Sequence, residues 1–300
     1  MHDKRRENMG WALGFGGVVL FSVTLPATRI AVADFDPVLV GLARALIPAI
    51  LAGLVLAATR QRLPARADIL RLLLASTGIV YGFPILMSVA MKDLPSAHGA
   101  VVTGIMPIAT AAVGAMVSGD RPSLGFWLCG AAGSALVVAY ALGQGASGLA
   151  WADLLLVIGI LTAALGYAVG GQAARRLGSW QTICWIMVLA LPITLMIIPV
   201  LNPGLPDHPP SPRAWAGLIY VVIVSQFLSF FAWYAGLALG GVTRVSQLLL
   251  LQPCLTLLFA ALVAGEILGW TEILFTLAII AVVALSRRTK IVHRAVQDQD

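Results

Sequence analysis

Residues 107–120 read PIATAAVGAMVSGD, and residues 253–266 read PCLTLLFAALVAGE. Set at an offset of 146 they share their punctuation: Pro107 precedes Gly119-Asp120 by twelve residues, and Pro253 precedes Gly265-Glu266 by the same twelve. Each reads as an apolar helix that carries a proline and closes on a glycine and an acid, with another apolar span behind it. The match runs over 97–140 against 243–286. It continues upstream with Tyr81 over Phe227 at the same offset, Pro48 over Pro192 at 144 and Trp11 over Trp151 at 140. The chain is therefore read as two copies of one unit, residues 1–144 and 145–300, the second ending in a polar tail.

Outward from this pair, apolar runs bounded by charge, Pro or Gly fall at 9–31, 36–58, 69–91, 95–118, 121–142, 149–171, 180–201, 214–238, 242–264 and 267–286. A helix rises about 1.5 Å per residue and the hydrocarbon core is about 30 Å thick, so each run is long enough to cross a bilayer. The fold expected is an all-α membrane protein of ten transmembrane helices, arranged as two five-helix repeats around a central cavity. Five is odd, so the second repeat enters the membrane inverted, the arrangement that secondary transporters use to expose one midplane site to each side in turn. Between the seventh and eighth runs, Pro203, Pro206, Pro209, Pro210 and Pro212 forbid helix and mark an exposed loop.

Composition agrees. Of 300 residues 60% are hydrophobic and 11% charged, against about 45–50% and about 25% in soluble domains. Ten spans leave short connections and no room for a soluble catalytic domain. The runs are continuous and do not alternate, which excludes a β-barrel. The formal charge of +6 does not indicate nucleic acid, because Lys and Arg sit in the connections. With the N-terminus inside, fifteen of the nineteen fall on the cytoplasmic side, among them Arg60, Arg62, Arg66, Arg71, Arg175, Arg176 and Arg244. Cytoplasmic loops retain such residues, so both termini are expected in the cytoplasm. Asp120 then ends its span inside and Glu266 ends its counterpart outside. Lys4, Arg5, Arg6, the following apolar run and Ala31-Val32-Ala33 mimic a cleavable leader, but the run is too long for one. Cys129, Cys184 and Cys254 are isolated in apolar sequence, so neither a metal site nor a disulfide framework is expected.

Ten spans as five plus five, the paired Pro-x11-Gly-Asp/Glu helices, and Arg44 in a span opened by Phe35-Asp36-Pro37 resemble the drug/metabolite transporter superfamily, in particular its EamA-type members. Within that superfamily the chain looks like the bacterial amino-acid exporters, the aromatic amino-acid exporter among them. The resemblance covers nearly the whole chain. It implies a multi-pass protein of the bacterial inner membrane with a central cavity that exports small metabolites by alternating access, with no cofactor and no enzymatic activity. Its partners would be a small-molecule substrate and the lipid bilayer, and a monomer would suffice.

Polar groups inside apolar spans are costly unless paired or facing a wet cavity, so they point to a pathway. The deepest are Ser22 and Thr24 before Pro26, Tyr81, His98 and Thr103 before Pro107, Ser225, Gln226 and Ser229, and Ser246, Gln247 and Gln252 before Pro253. Serine and threonine can satisfy themselves on their own helix carbonyls. Gln226, Gln247 and Tyr81 carry long polar tips able to bind the ends of an amino acid without adding charge; the alternative is an interhelical bond that glues the bundle. His98 could couple transport to protons, but lies near the outer end of its span. Pro26, Pro107 and Pro253 read as helix-bending positions for gating. Trp185 and Trp233 are candidate cavity walls. Arg44 is expected to snorkel outward to Asp34 or Asp36 as an anchor rather than to serve as an anion site.

No Asp or Glu falls at the middle of a span, since Asp153 and Glu272 lie near span ends. That disfavours a sodium site or a carboxylate proton relay and leaves uniport as the simpler mode. A nucleotide sugar would need central Lys or Arg and a cationic drug a central carboxylate, and neither is expected at mid-depth. His2, His98, His208 and His293 are scattered, which argues against a membrane-embedded enzyme. The paired proline helices suit two exchanging states better than a continuous channel.

Overall fold

Asp36-Pro37 and Ser211-Pro212 show how this sequence starts helices. In the computed structural model, which describes residues 2–94, 102–103, 105–143, 151–201, 203–204, 206, 208–264, 269–289 and 291–292, each pair places a capping side chain before a proline in the first turn. Asp36 Oδ1 accepts from Val38 N at 2.8 Å and Leu39 N at 3.1 Å, and Ser211 Oγ accepts from Ala214 N at 3.2 Å. Proline there sacrifices an N–H that no helix bond needs.

The elements run α1 (His2–Phe21), α2 (Thr24–Ala31), α3 (Pro37–Ala58), α4 (Arg66–Ser76), a π-helical segment Thr77–Gly82, α5 (Phe83–Asp93), α6 (Met106–Ser118), β1 (Arg121–Pro122) and α7 (Leu124–Gly143). They continue with α8 (Trp151–Leu177), α9 (Ser179–Leu201), α10 (Pro212–Ile219), a second π segment Tyr220–Leu228, α11 (Ser229–Gly240), α12 (Val242–Val245), a 3-10 segment Ser246–Leu251, α13 (Gln252–Ala264), α14 (Trp270–Arg288) and β2 (Ile291–Val292). The two short strands pair antiparallel, Arg121 opposite Val292. Among the described residues six helices are long and apolar enough to cross a membrane: Lys4–Ala31, Pro37–Ala58, Arg66–Asp93, Trp151–Leu177, Ser179–Leu201 and Pro212–Gly240. The runs expected at 95–118, 121–142 and 267–286 hold the shorter apolar helices Met106–Ser118, Leu124–Tyr140 and Ile273–Ser286. Gly119 closes α6 with a left-handed φ of 73° and its N–H on the Ala115 carbonyl at 2.8 Å, as its place in the repeated motif suggests. Gly265 and Glu266 lie outside the described residues.

Small residues decide which helices meet. A Cβ on Gly10 would stand 2.5 Å from the Gly240 backbone nitrogen, and one on Gly236 would stand 2.7 Å from the Gly14 Cα, so α1 and α11 touch backbone to backbone. Lipid supplies no hydrophobic drive between helices, and such close packing supplies dispersion instead. The seam continues into an aromatic cluster, with Phe21 against Phe230 at a centroid distance of 5.1 Å and Tyr167 of α8 against Trp233 at 5.4 Å. Tyr234 of α11 donates to the Gly166 carbonyl of α8 at 3.0 Å.

Polar contacts close both ends of the bundle. At the end holding the N-terminus, Arg244 pairs with Glu7, Asp68 meets Arg71 at 3.3 Å and Arg176 at 3.5 Å, and Thr243 Oγ1 donates to Asp120 at 3.1 Å. At the other end Arg29 donates to the Leu94 carbonyl, and the Ser211 N–H donates to Asp34 Oδ2 at 2.7 Å. Hydrogen bonds from the side chain and then the backbone of Ser211 hold the Asp34 carboxyl below the usual carboxylate range.

Candidate functional site

Four of the helical passages that reach one cavity lose regular α geometry along their length. The first breaks in a turn at Ser22-Val23, the third winds into the π segment Thr77–Gly82, the eighth into the π segment Tyr220–Leu228, and the ninth tightens into 3-10 turns at Ser246–Leu251. Inside a membrane, irregular backbone is tolerated where protein or a cavity covers it, and π insertions are frequent at functional sites. The first break has a definite cause. Pro26 has no N–H, which frees the carbonyl four residues earlier, that of Ser22, and Thr256 Oγ1 donates to that carbonyl at 2.7 Å. Gln252 reaches the neighbouring Phe21 carbonyl with a long bond of 3.4 Å.

Between these breaks lies a cavity of about 30 Å³ whose wall includes Thr24, Arg44, Thr103, Ser225, Gln226 and Gln252, with Phe21, Leu25, Met87, Met106, Tyr167 and Phe230 as its apolar part. That volume holds about two waters, so in this conformation the site is closed around its own side chains. Residues from the first and second halves of the chain bond across it. Thr24 Oγ1 and Ser225 Oγ lie 2.8 Å apart. Arg44 Nη2 donates to Gln226 Oε1 at 3.1 Å, and Gln226 Nε2 donates to the Ile79 carbonyl at 2.8 Å. The two π segments thus face one another through Gln226. Gly78 makes the first one possible, because a Cβ there would stand 1.8 Å from the Thr162 carbonyl oxygen of α8.

Arg44 is the residue the sequence reading misplaced. It does not snorkel to Asp34 or Asp36: it is 3% exposed, lines the cavity, and leaves Nε and Nη1 without a hydrogen-bond partner among the described residues. Asp36 lies eight residues earlier, about 12 Å along the helix, and is occupied capping α3; Asp34 is occupied by Ser211. A central cation is therefore present.

Of the expected site residues, Thr24, Thr103, Ser225 and Gln226 come together at the cavity. Tyr81 instead donates to the Ala190 carbonyl at 2.5 Å and meets Thr194 Oγ1 at 2.9 Å, tying the first π segment to α9. Ser22 and Ser229 bond their own helices, to the Val18 and Val224 carbonyls, each at 2.7 Å. Gln247 is 1% exposed, with no partner for its amide among the described residues, and sits against Gly130 of α7, away from the cavity wall. Trp185 and Trp233 are core residues. Pro107 stands in the first turn of α6, whereas Pro253 directly follows the 3-10 segment Ser246–Leu251, inside a helical passage that runs unbroken from Val242 to Ala264. His98 lies outside the described residues. A second, larger crevice of about 1290 Å³ opens along α1, α13 and α14. Its wall is almost wholly apolar, including Trp11, Phe15, Leu255 and Ile280, as suits a lipid-facing groove.

Comparison with known proteins bears on what such a site serves. The EamA-like transporter family matches the chain twice, over residues 8–141 and 150–288. An uncharacterized transporter of Bacillus subtilis (strain 168), YdeK, is 43% identical over 279 residues, which are 93% of this chain and 97% of that one. A solved crystal structure superposes with a TM-score of 0.71 at 18% identity, covering 92% of this chain and 97% of that one, a likeness of fold.

Proposed function

The chain belongs to the EamA-like transporter family, and from that premise we propose that it exports small, largely apolar metabolites, amino acids foremost, across the bacterial inner membrane by alternating access. It is a multi-pass membrane transporter and not an enzyme. In this reading the ten apolar runs are ten spans in two inverted five-helix repeats, 1–144 and 145–300, with both termini cytoplasmic. One observation carries it: the buried polar groups meet across the two family matches, Thr24 with Ser225 and both Arg44 and the Ile79 carbonyl with Gln226. A site shared by two halves changes shape when the halves rock against each other, and that motion is what alternating access requires.

The end contacts support the same cycle. Glu7 with Arg244, Asp68 with Arg176, Asp120 with Thr243, and Asp34 with Ser211 each join one half to the other. Two of these are partly buried ion pairs and two are hydrogen bonds, few enough at each end for one end to part while the other holds. The cavity wall carries no described Asp or Glu, so facilitated diffusion down the solute gradient needs no further ion. Cationic drugs are disfavoured by Arg44.

The test is uptake of radiolabelled amino acids into liposomes holding the purified protein, with Gln226→Ala as control and a pH gradient imposed separately. Saturable uptake that the variant loses and the pH gradient leaves unchanged is expected. Absence of uptake above empty liposomes for every amino acid would remove this substrate class.

A further inference from the structure

A guanidinium stays charged at any physiological pH, and burying it without partners is costly. Arg44 is 3% exposed. It keeps one hydrogen bond to protein, from Nη2 to Gln226 Oε1 at 3.1 Å, and leaves Nε and Nη1 unpartnered among the described residues. No other charged residue is among those lining the cavity. Its opposite number is uncharged: at the offset of 144 that aligns Pro48 with Pro192, position 44 falls on Val188. The cation is thus a feature of one half only, placed where four interrupted helices converge.

We infer that Arg44 is the anion receptor of the transport site, and that the transported solute is a monocarboxylate with an apolar body whose carboxylate pairs with this guanidinium. The inference rests on the transport reading above and names the chemistry of its substrate. One buried positive charge is neutralised by one carboxylate, in a charge-assisted contact that a planar guanidinium is well shaped to make. A phosphate dianion would need a second cation, which the described wall lacks. Phe21, Leu25, Met87, Met106 and Phe230 supply the apolar surface for the rest of the solute. The α-ammonium of an amino acid would meet only neutral acceptors, the Thr24 and Ser225 hydroxyls and the Ile79 carbonyl. It is therefore tolerated rather than read, and the same acid without an amino group is also a ligand.

The experiment is thermal unfolding of the full chain in detergent with matched probes: 3-phenylpropanoate against 3-phenylpropanamide, and 4-methylpentanoate against 4-methylpentanamide. The acids should raise the unfolding midpoint of the wild type in a saturable way, and the amides, equal in shape but uncharged, should not. Arg44→Gln should weaken acid binding about thirtyfold or more, with Arg44→Lys falling between. A purely structural role for Arg44 would lower the midpoint of the variants without separating acid from amide. Equal protection by acids and amides, protection by neither, or acid protection that survives Arg44→Gln overturns the inference. If Arg44→Gln fails to fold, the acid and amide arms on the wild type and on Arg44→Lys still decide. The outcome is separable from the transport test. Acids that protect a protein inert towards every amino acid would leave the receptor standing and remove amino acids as cargo. Uptake of L-phenylalaninamide as fast as L-phenylalanine would sink the receptor and leave the transporter.

Discussion

The two π segments, Thr77–Gly82 and Tyr220–Leu228, lie at matching positions of the two family matches, yet they serve the site differently. The second projects Ser225 and Gln226 into the cavity, whereas the first contributes a bare backbone carbonyl at Ile79 and turns Tyr81 away to α9. At the offset of 146, Gln226 falls on Val80 and Ser225 on Ile79. What the two halves share is the irregular backbone; the chemistry has been distributed unequally, amide and hydroxyl to the second half and the guanidinium of Arg44 to the first. A duplicated frame with an asymmetric site has a simple physical sense. The closed cavity is held by bonds that cross between halves, so each partner needs something different opposite it, a donor facing an acceptor.

The largest difference between the two π segments lies in the backbone itself. Gly78→Val would drive a side chain into the Thr162 carbonyl, where even a Cβ finds 1.8 Å, and should cost at least about 3 kcal/mol, since overpacking a tight contact forces backbone shifts. The matching position in the second segment is Val224, half-buried, and Val224→Gly should cost only about 1 kcal/mol, the helix penalty of glycine. Unfolding midpoints of the two purified variants check the difference. Comparable losses would mean that the two segments are equally constrained and that the close approach at Gly78 is not what holds the first in place.

Exchanging side-chain chemistry should have a smaller effect on stability and a larger one on transport. Gln226→Leu keeps the volume but strips Arg44 of its bond and bares the Ile79 carbonyl, so it should cost about 2 kcal/mol and abolish saturable uptake. Tyr81→Phe removes bonds to the Ala190 carbonyl and Thr194. It should cost about 1 kcal/mol while leaving uptake near wild type, because the tyrosine joins helices and does not touch the cavity. Measuring uptake and the unfolding midpoint on the same preparations separates the two. A transport-dead Tyr81→Phe of normal stability would place the first segment on the substrate path after all.

The frame was legible from the sequence because it rests on periodic and compositional signals. The apolar runs 36–58 and 180–201 predict their helices Pro37–Ala58 and Ser179–Leu201 to within a residue, whereas run 149–171 stops six residues short of Leu177 and the described helix in run 95–118 begins at Met106; the glycine after Ser118 ends α6 in the left-handed turn its motif implies. Thr24, Thr103, Ser225 and Gln226 were legible as cavity-lining residues for a related reason: each is a polar group in an apolar run, and the cavity is where such groups converge. The same signal could not separate Gln226 from Tyr81, since a group that glues helices and a group that meets solute look alike until the neighbouring helix is in view. Arg44 was misread because snorkelling is a default for long side chains near a span end. The acids that would have received it are used by the Val38, Leu39 and Ser211 amides. A hint was present in its position: eight residues past the helix cap, Arg44 is beyond easy reach of the interface. Gly78 and Gly82 are the written trace of the first π segment, but a π insertion needs no particular residue and the second segment contains no glycine.

The smallest expected effect lies at the end of the bundle away from the N-terminus, where Asp34 accepts from the N–H of Ser211, the cap of α10. This contact joins the halves and, unlike the cavity bonds, faces water. Its carboxyl is held below the usual range by Ser211, with His208 adding to the same direction. A folded-state pKa lower than the unfolded one means that the unfolded chain binds the proton more readily. The contribution is therefore complete above the unfolded carboxylate value of about 3.9 and disappears as pH falls through the depressed folded value. Asp34→Asn should leave the midpoint almost unchanged at pH 7 and flatten only the acid limb below about pH 4. Ser211→Ala should do more, because it also removes the cap of α10, a loss of about 1 kcal/mol at any pH. Midpoints of the three proteins between neutral and acid pH check this. Parallel acid limbs in wild type and Asp34→Asn would show that the contact contributes nothing to closing that end, and would leave the packing of Ala27, Ala31 and Phe35 against Ala214 and Leu218 as the link between the halves there.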